Sequence, residues 1–486
     1  MTARLSRAAL DPARQPPVPA ATGVVHLGLG AFSRAHQAVY TQDAVAATGD
    51  DGWGICGVTQ RSRTVVEQLR PQDGLYSVLT RSERGSALQV VGQVRDVLFA
   101  AEEADRLLGL LAAPTTRLVT LTVTEKGYRH DPATGRLRTA DPEVAADLTG
   151  RDPVTVVGQL ARGLQARRRA DAGPVTLLSC DNLPANGEVL RGLVLEVCDL
   201  LPGADGLAAW VEQSVAFPSS MVDRIVPATT GEDRAEVARL LGLQDEGVVV
   251  TEPFRQWVVE DAFAAGRPAW ERAGAVLTAD VAPYEALKLR MLNGSHSTLA
   301  YLGALAGFGT VSEAVADDGL GLVVRRLMAD DVVPTLDVPA GFDVDAYAAE
   351  LLERFANPAL RHRTVQIAMD GTQKLPQRLL GTVRDRLAAG ASPRWACLGV
   401  AAWVRYVSAG QTDAGAPLPL DDPLADRLRS LTASATTPAQ VVDALLGLTE
   451  VFGDDLPADE RFRELLVASL TALTSAGVRS AVRELD

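Results

Sequence analysis

The sequence predicts an α/β domain built on a mainly parallel β-sheet, followed by a second, mostly α-helical domain. Three observations predict this order. Short apolar runs alternate with helical stretches through the first 280 residues. The first apolar run ends in a glycine turn that leads towards a helix. After about Pro283 clear strands are absent and long helical patterns dominate.

The elements follow in chain order. Val24-Val-His-Leu-Gly28-Leu-Gly30 reads as a buried parallel strand, and His36 to Ala47 as the helix after it. Trp53-Gly-Ile-Cys-Gly-Val58, Arg117-Leu-Val-Thr-Leu-Thr-Val-Thr124 and Val175-Thr-Leu-Leu-Ser-Cys180 are further strands, with Val248-Val-Val-Thr251 as another. Helical stretches lie between them at Ala101 to Ala112, Pro153 to Ala170 and Gly187 to Leu200. Such alternation argues for a sheet covered on both faces. In the second half, Tyr284 to Ala306, Val344 to Phe355 and Val441 to Val451 read as helices, and Gly410 to Asp426 as a surface loop. The boundary falls between Arg267 and Tyr284, giving domains at 1–280 and 281–486.

Composition narrows the class of function. A net charge of −14 without a run of Lys and Arg argues against a nucleic-acid or anionic-membrane partner. No apolar run reaches the roughly 18 residues of a membrane span. Met1 to Gly23 lacks a continuous apolar core and reads as a surface arm, not a signal peptide. Cys56, Cys180, Cys198 and Cys397 form no CxxC pair. They read as small apolar fillers in a reducing, cytoplasmic setting, without a disulfide framework or zinc site.

Residue scarcity points at a site. Only Lys126, Lys288 and Lys374 are lysines, and the other 44 cations are arginine. Asparagine occurs at Asn182, Asn186, Asn293 and Asn357 alone. Two of these rarities share Lys288-Leu-Arg-Met-Leu-Asn293-Gly-Ser-His296, and two asparagines share Ser179-Cys-Asp-Asn182-Leu-Pro-Ala-Asn186-Gly. Arginine stays protonated, whereas a lysine amine can lose its proton where its surroundings lower its pKa.

Two chemistries follow. The Gly28-Leu-Gly30 turn lets backbone approach a pyrophosphate, although Ser33 replaces the third glycine of the GxGxxG pattern and an ordinary tight turn would look similar. Beyond the second strand, Val58-Thr-Gln-Arg61-Ser-Arg63 offers no acid for a ribose 2′-OH and could meet a 2′-phosphate, so NAD and NADP both stay open. Oxidising a secondary alcohol needs a base for the hydroxyl proton and donors for the oxygen. Lys288, desolvated and near Arg290, suits the base, and Asn182 and Asn293 suit the donors. On a straight α-helix Lys288 and Asn293 lie about 140° apart with His296 between them, where it can hydrogen-bond substrate. Glu285 either passes protons to solvent or pairs with an arginine.

These segments resemble the polyol-specific long-chain dehydrogenase/reductase (mannitol dehydrogenase) family. The matching stretches are His26 to His36, Thr122 to Tyr128, Ser179 to Gly187, Met221 to Pro227, Glu252 to Asp261, Lys288 to His296 and Arg361 to Lys374. The resemblance implies a Rossmann-type N-terminal domain that binds a nicotinamide dinucleotide, a helical substrate-binding and catalytic domain, and no metal. It implies Lys288 as general base, Asn182 and Asn293 as oxyanion donors and His296 as a substrate contact. It places Asp223 and Lys374 in the substrate pocket, and Gly28, Gly30, Ala31, Phe32, Thr124 and Glu125 at the cofactor, expected to be NAD with NADP open. Family members are monomers or small homo-oligomers acting on small molecules.

Gln366 stands where the mannitol dehydrogenase type has an arginine, and the runs Lys288-Leu-Arg290, Arg361-His-Arg363 and Lys374-Leu-Pro-Gln-Arg378 are closer to the fructuronate reductase (D-mannonate oxidoreductase) type. A uronate needs cations for its carboxylate, and Arg290, Arg378 and Lys126 are candidates that could equally be ion-pair partners. The expected reaction is D-mannonate to D-fructuronate, with mannitol/fructose or arabinitol as the alternative. An S-adenosylmethionine methyltransferase would explain the glycines but not Lys288 and Asn293. A non-catalytic nicotinamide sensor would be expected to lack them.

Overall fold

The computed structural model describes residues 2–82, 85–131, 134–149, 152–360 and 362–484. Two units are distinguished, Met1–Ala282 and Pro283–Asp486.

The strands of the first unit are β1 (Thr22–Leu27), β2 (Gly54–Thr59), β3 (Tyr76–Ser82), β4 (Gly85–Val91), β5 (Val94–Phe99), β6 (Leu118–Leu121), β7 (Val175–Ser179), β8 (Val215–Ala216), β9 (Ser220–Asp223), β10 (Val249–Thr251), β11 (Gln256–Glu260) and β12 (Val276–Thr278). Six form one sheet in the order β5-β2-β1-β6-β7-β8, and every neighbouring pair is parallel. The chain builds outward from β1 through β2 to β5, then starts again on the other side with β6. The order therefore reverses between β1 and β6, where the carboxyl ends of parallel strands leave a crevice for ligand.

Alternate residues of each strand feed opposite cores, as the period of two requires. Val25, Leu27, Cys56, Val58, Val119 and Leu121 pack under the helices Ala104–Leu111, Val156–Arg169 and Asn186–Leu200. Val24, Ile55, Leu118 and Leu178 face the other way, onto Val39, Tyr40, Trp257 and Trp270. Buried arginines complete the packing where a lysine could not. Arg167 donates to the carbonyls of Leu111, Ala113, Ala172, Gly173 and Pro174, a fan that only a planar guanidinium supplies.

The structure departs from the sequence-based expectations in three places. Val249–Thr251 is a strand, but it joins a separate three-stranded sheet beside β3 and β4. The β3–β4 hairpin, the β9–β11–β12 sheet and, in the large sheet, β5 and β8 were not foreseen, since β4 is largely exposed, β5 carries Arg95 and Asp96, and β8, β9 and β12 are only two to four residues long. The N-terminal segment is not a loose surface arm. Leu5 and Leu10 are buried with Leu75 and Leu243, and the Leu5 N–H donates to the Gln244 carbonyl at 2.7 Å.

The second unit is helical through its described residues, around one core that includes Leu299, Leu302, Leu320, Val400, Trp403 and Phe462. The 282–306 segment is helical as expected. The predicted Val441–Val451 helix is two, Pro438–Leu446 and Thr449–Phe452, broken at Gly447. Three stretches are π-wound: Lys288–Gly294, Leu327–Val332 and Pro376–Leu380. No described helix is long and apolar enough to cross a membrane. All four cysteines are buried free thiols.

Candidate active site

In the first unit a cleft of 620 Å³ opens at the carboxyl ends of β1, β2 and β6, lined by Gly28, Gly30, Arg61, Thr122, Thr124 and Gln159 among others. Gly28 has φ +93°, and a Cβ there would stand 2.2 Å from the Thr122 carbonyl oxygen. The turn thus excludes any other residue. Gly30 has no neighbour within 3.7 Å of where its Cβ would be, so its missing side chain leaves the mouth open. A dinucleotide's pyrophosphate fits a cradle of this kind. At the end of β2, Gln60, Arg61 and Ser62 line the cleft without a carboxylate among them, while Arg63 pairs with Glu102 at 2.8 Å. Of the other cofactor candidates, Ala31 and Phe32 lie in the helix Ala31–Ala35, with Phe32 stacked on His36, and Glu125 is exposed in the 3-10 turn Glu125–Tyr128. Lys126 is exposed in the same turn.

A buried hydrogen-bonded chain lies beneath the turn. His26 Nδ1 is 2.7 Å from Thr120 Oγ1 and Nε2 is 2.9 Å from Thr122 Oγ1, which in turn donates to the Gly28 carbonyl at 2.9 Å. Because Thr122 spends its proton on Gly28, it accepts from Nε2–H, and Thr120 donates to Nδ1. Burial pulls the His26 pKa down to about 4, so the ring is neutral.

Beyond β7, Asp181 is buried and Asn182 is exposed. Asp181 accepts from the N–H groups of Val123 and Thr124 at 3.1 and 2.9 Å and from the Tyr128 hydroxyl at 2.8 Å. Burial raises its pKa against the pull of those donors. Asn186 is structural: its amide bridges the Asp181 and Ser220 carbonyls and accepts from the Ser220 N–H. Asp223 is buried at the end of β9.

In the second unit Lys288 is buried, 7% exposed, and opens the π-wound stretch Lys288–Gly294. This corrects the straight-helix expectation. A π-turn bonds residue i to i+5, so Lys288 and Asn293, five apart, come closer to one face than the roughly 140° of a straight α-helix. Arg290 is engaged elsewhere, pairing with Asp385 and donating to the Thr335 hydroxyl at 2.8 Å.

Around His296 the chain gathers cations. Its ring stacks on Phe355 at 5.3 Å and meets His362 edge-on at 4.8 Å. Burial, then electrostatic coupling to His362, Arg378, Arg354 and Lys374, hold the His296 pKa well below the usual imidazole range. Burial likewise lowers His362. Lys374 is pulled down to about 8 by burial and by Arg378, against the opposing pull of Asp370, Asp422 and Asp421. Its ammonium donates to the Ile367 and Met369 carbonyls and lies 4.0 Å from Asp370. Arg378 donates to the Ser297 hydroxyl at 3.0 Å and has no carboxylate within ion-pair distance among the described residues. The geometry offers neutral donors, a buried amine and an under-neutralised guanidinium, a set suited to a hydroxylated anion. Among the described residues no three His, Cys, Asp or Glu side chains gather as metal ligands would.

Asp181, Ser297, Arg354 and His362 are site residues that composition and motif spacing did not reveal. His362 carried a usable signal, since the chain has five histidines and two of them meet here. Its neighbour Arg361, quoted in the motif, lies outside the described residues.

The family model of the mannitol dehydrogenase Rossmann domain matches residues 22–272, and that of the mannitol dehydrogenase C-terminal domain matches residues 280–474. An uncharacterized oxidoreductase of Escherichia coli K12, YeiQ, is 45% identical over 94% of this chain and 93% of its own length. The D-mannonate oxidoreductase of the same organism is 43% identical over 95% of each chain. Among solved structures, the Pseudomonas fluorescens mannitol 2-dehydrogenase ternary complex with NAD and D-mannitol matches at 35% identity and a TM-score of 0.85, covering 99% of each chain.

Proposed function

The chain belongs to the mannitol dehydrogenase family, and we propose that within it the protein interconverts D-mannonate and D-fructuronate, using NAD, in the cytoplasm. One observation carries the choice of a sugar acid: the half-buried Arg378 guanidinium, hydrogen-bonded to Ser297, with Asp370 as its nearest acidic influence but no carboxylate in ion-pair contact among the described residues, beside Lys374, Arg354 and two neutral histidines. A neutral polyol leaves that charge with only the more distant Asp370 against it. A uronate supplies a counterion, bidentate to the guanidinium. The 43% identity to a D-mannonate oxidoreductase supports the same reading.

The first unit binds the dinucleotide in the cleft at Gly28, Gly30 and Thr124, with Ala31, Phe32 and Glu125 on the adjoining turns. The bound nicotinamide supplies the hydride acceptor or donor. In the oxidising direction Lys288, buried at the start of its π-wound stretch, takes the hydroxyl proton as general base. Asn182 and Asn293 donate N–H groups to the oxygen as negative charge builds there. His296, neutral at physiological pH, hydrogen-bonds a substrate hydroxyl, and Asp223 and Lys374 fix the others. Arg378 binds the carboxylate. Arg290, already paired with Asp385, is the weaker candidate for it.

The solved mannitol complex favours a second reading, oxidation of mannitol or a related polyol. A panel of D-mannonate, D-fructuronate, mannitol, fructose and arabinitol, followed at 340 nm with NAD(H) and NADP(H), separates the two. Turnover confined to neutral polyols would remove the sugar-acid assignment. The NADP arm tests whether Arg61 accepts a 2′-phosphate.

A further inference from the structure

Resting on the reading of the cleft as the dinucleotide site, we propose that Asp181 is a positioning residue, holding the Val123–Thr124 backbone in the shape that binds the dinucleotide. Thr124 sits at φ +64° and ψ 160°, a region that residues with a Cβ rarely occupy. A conformation of this kind persists only where its surroundings over-determine it. The Gly127 N–H holds the Thr124 carbonyl at 2.9 Å, and on the N–H side the surroundings are one carboxylate. Asp181 Oδ1 accepts from the Thr124 N–H, and Oδ2 accepts from the Val123 N–H and the Tyr128 hydroxyl. Those three donors bracket the turn that follows β6 and lines the cleft through Val123, Thr124 and Gly127.

Tyr128 is itself fixed. Its hydroxyl stands 2.5 Å from Ser179 Oγ, and since Tyr128 gives its proton to Asp181, Ser179 donates to Tyr128. The clamp therefore ties the turn after β6 to the end of β7. Asp181 is 8% exposed and has no Lys or Arg within ion-pair distance among the described residues. An unpaired buried carboxylate is costly, and packing alone would be served better by a neutral side chain. Two consecutive backbone N–H groups aimed at it give the charge a use. An amide in its place offers one acceptor oxygen and turns an NH₂ group towards an N–H.

The experiment measures NADH affinity by nucleotide fluorescence, which needs no turnover. Asp181→Asn should weaken NADH binding about ten- to a hundredfold, the scale of a hydrogen bond to a charged group. Thr124→Gly in the Asp181→Asn background should recover most of that loss relative to Thr124→Gly alone, because glycine adopts φ +64° without a clamp. A merely structural carboxylate predicts no such rescue. Wild-type affinity in Asp181→Asn, or a double variant no better than the single, overturns the proposal. Should Asp181→Asn not fold, Tyr128→Phe removes one arm of the clamp, and unchanged affinity there overturns it too. If the unaltered protein does not bind NADH, the reading of the cleft has failed instead.

Discussion

A Cβ on Gly294 would stand 2.7 Å from the Arg378 carbonyl oxygen, so the π-wound segments Lys288–Gly294 and Pro376–Leu380 meet backbone to backbone. Gly294→Ala forces them apart. The expected result is a destabilisation of about 1–3 kcal/mol by thermal melting, with a loss of kcat/KM on the sugar acid and little change in NADH affinity. Wild-type kinetics in that variant would show that this close approach does not set the site.

Lys288→Ala should lower kcat by about 10²–10⁴, the usual worth of a general base, while the NADH dissociation constant stays near that of the unaltered protein. Stopped-flow binding and steady-state rates read the two separately. Collapse of nucleotide binding with turnover intact would invert the assignment.

Arg378→Gln should raise KM for D-mannonate about ten- to a hundredfold, the scale of a lost charge-assisted hydrogen bond, and leave residual polyol turnover unaffected. Equal losses on charged and neutral substrates would mean that Arg378 shapes the helix and not the selectivity.

The pH profile has a predicted direction. Lys374, with its pKa lowered to about 8, is charged below that pH and neutral above it. Its attraction for a carboxylate substrate therefore fades as pH climbs through about 8. The alkaline limb of kcat/KM on D-mannonate should fall for this reason, and Lys374→Arg should move that fall upward, since arginine keeps its proton. An unmoved limb in Lys374→Arg assigns the titration to another group.

Acid stability should depend on His26. Its folded pKa of about 4 lies below the ordinary 6.5, so between those values the unfolded chain binds the extra proton. The contribution is complete above about pH 6.5 and shrinks as pH falls towards 4, by roughly 3 kcal/mol in all. His26→Gln, which cannot titrate, should flatten that part of the urea-midpoint profile. A parallel acid decline in both proteins would place the cause elsewhere.

Four strands of the large sheet, β1, β2, β6 and β7, were legible because they are largely apolar and buried, whereas β5, interrupted by Arg95 and Asp96, and the two-residue β8 were not. The glycine turn was legible because Gly28 occupies a conformation that other residues resist. Lys288, Asn293 and His296 were visible through scarcity in one helix. Their relative orientation was not, because a π-turn changes which residues stack and leaves no mark in apolar periodicity. Asp181 and Ser297 were hidden for a different reason. Their roles depend on partners 57 and 81 positions away, a pairing that spacing cannot encode.

The three lysines differ sharply in setting: Lys126 exposed, Lys374 half-buried with its pKa lowered to about 8, Lys288 buried. Arginine does not react with activated esters, so this surface is nearly inert to the commonest coupling reagents. Among the lysines, a support or dye attached through amines meets the exposed Lys126 first, alongside the α-amine, so attachment is confined to very few points. Lys374, less accessible but with more of its amine neutral near pH 8, reacts next, and immobilisation yield then trades against activity.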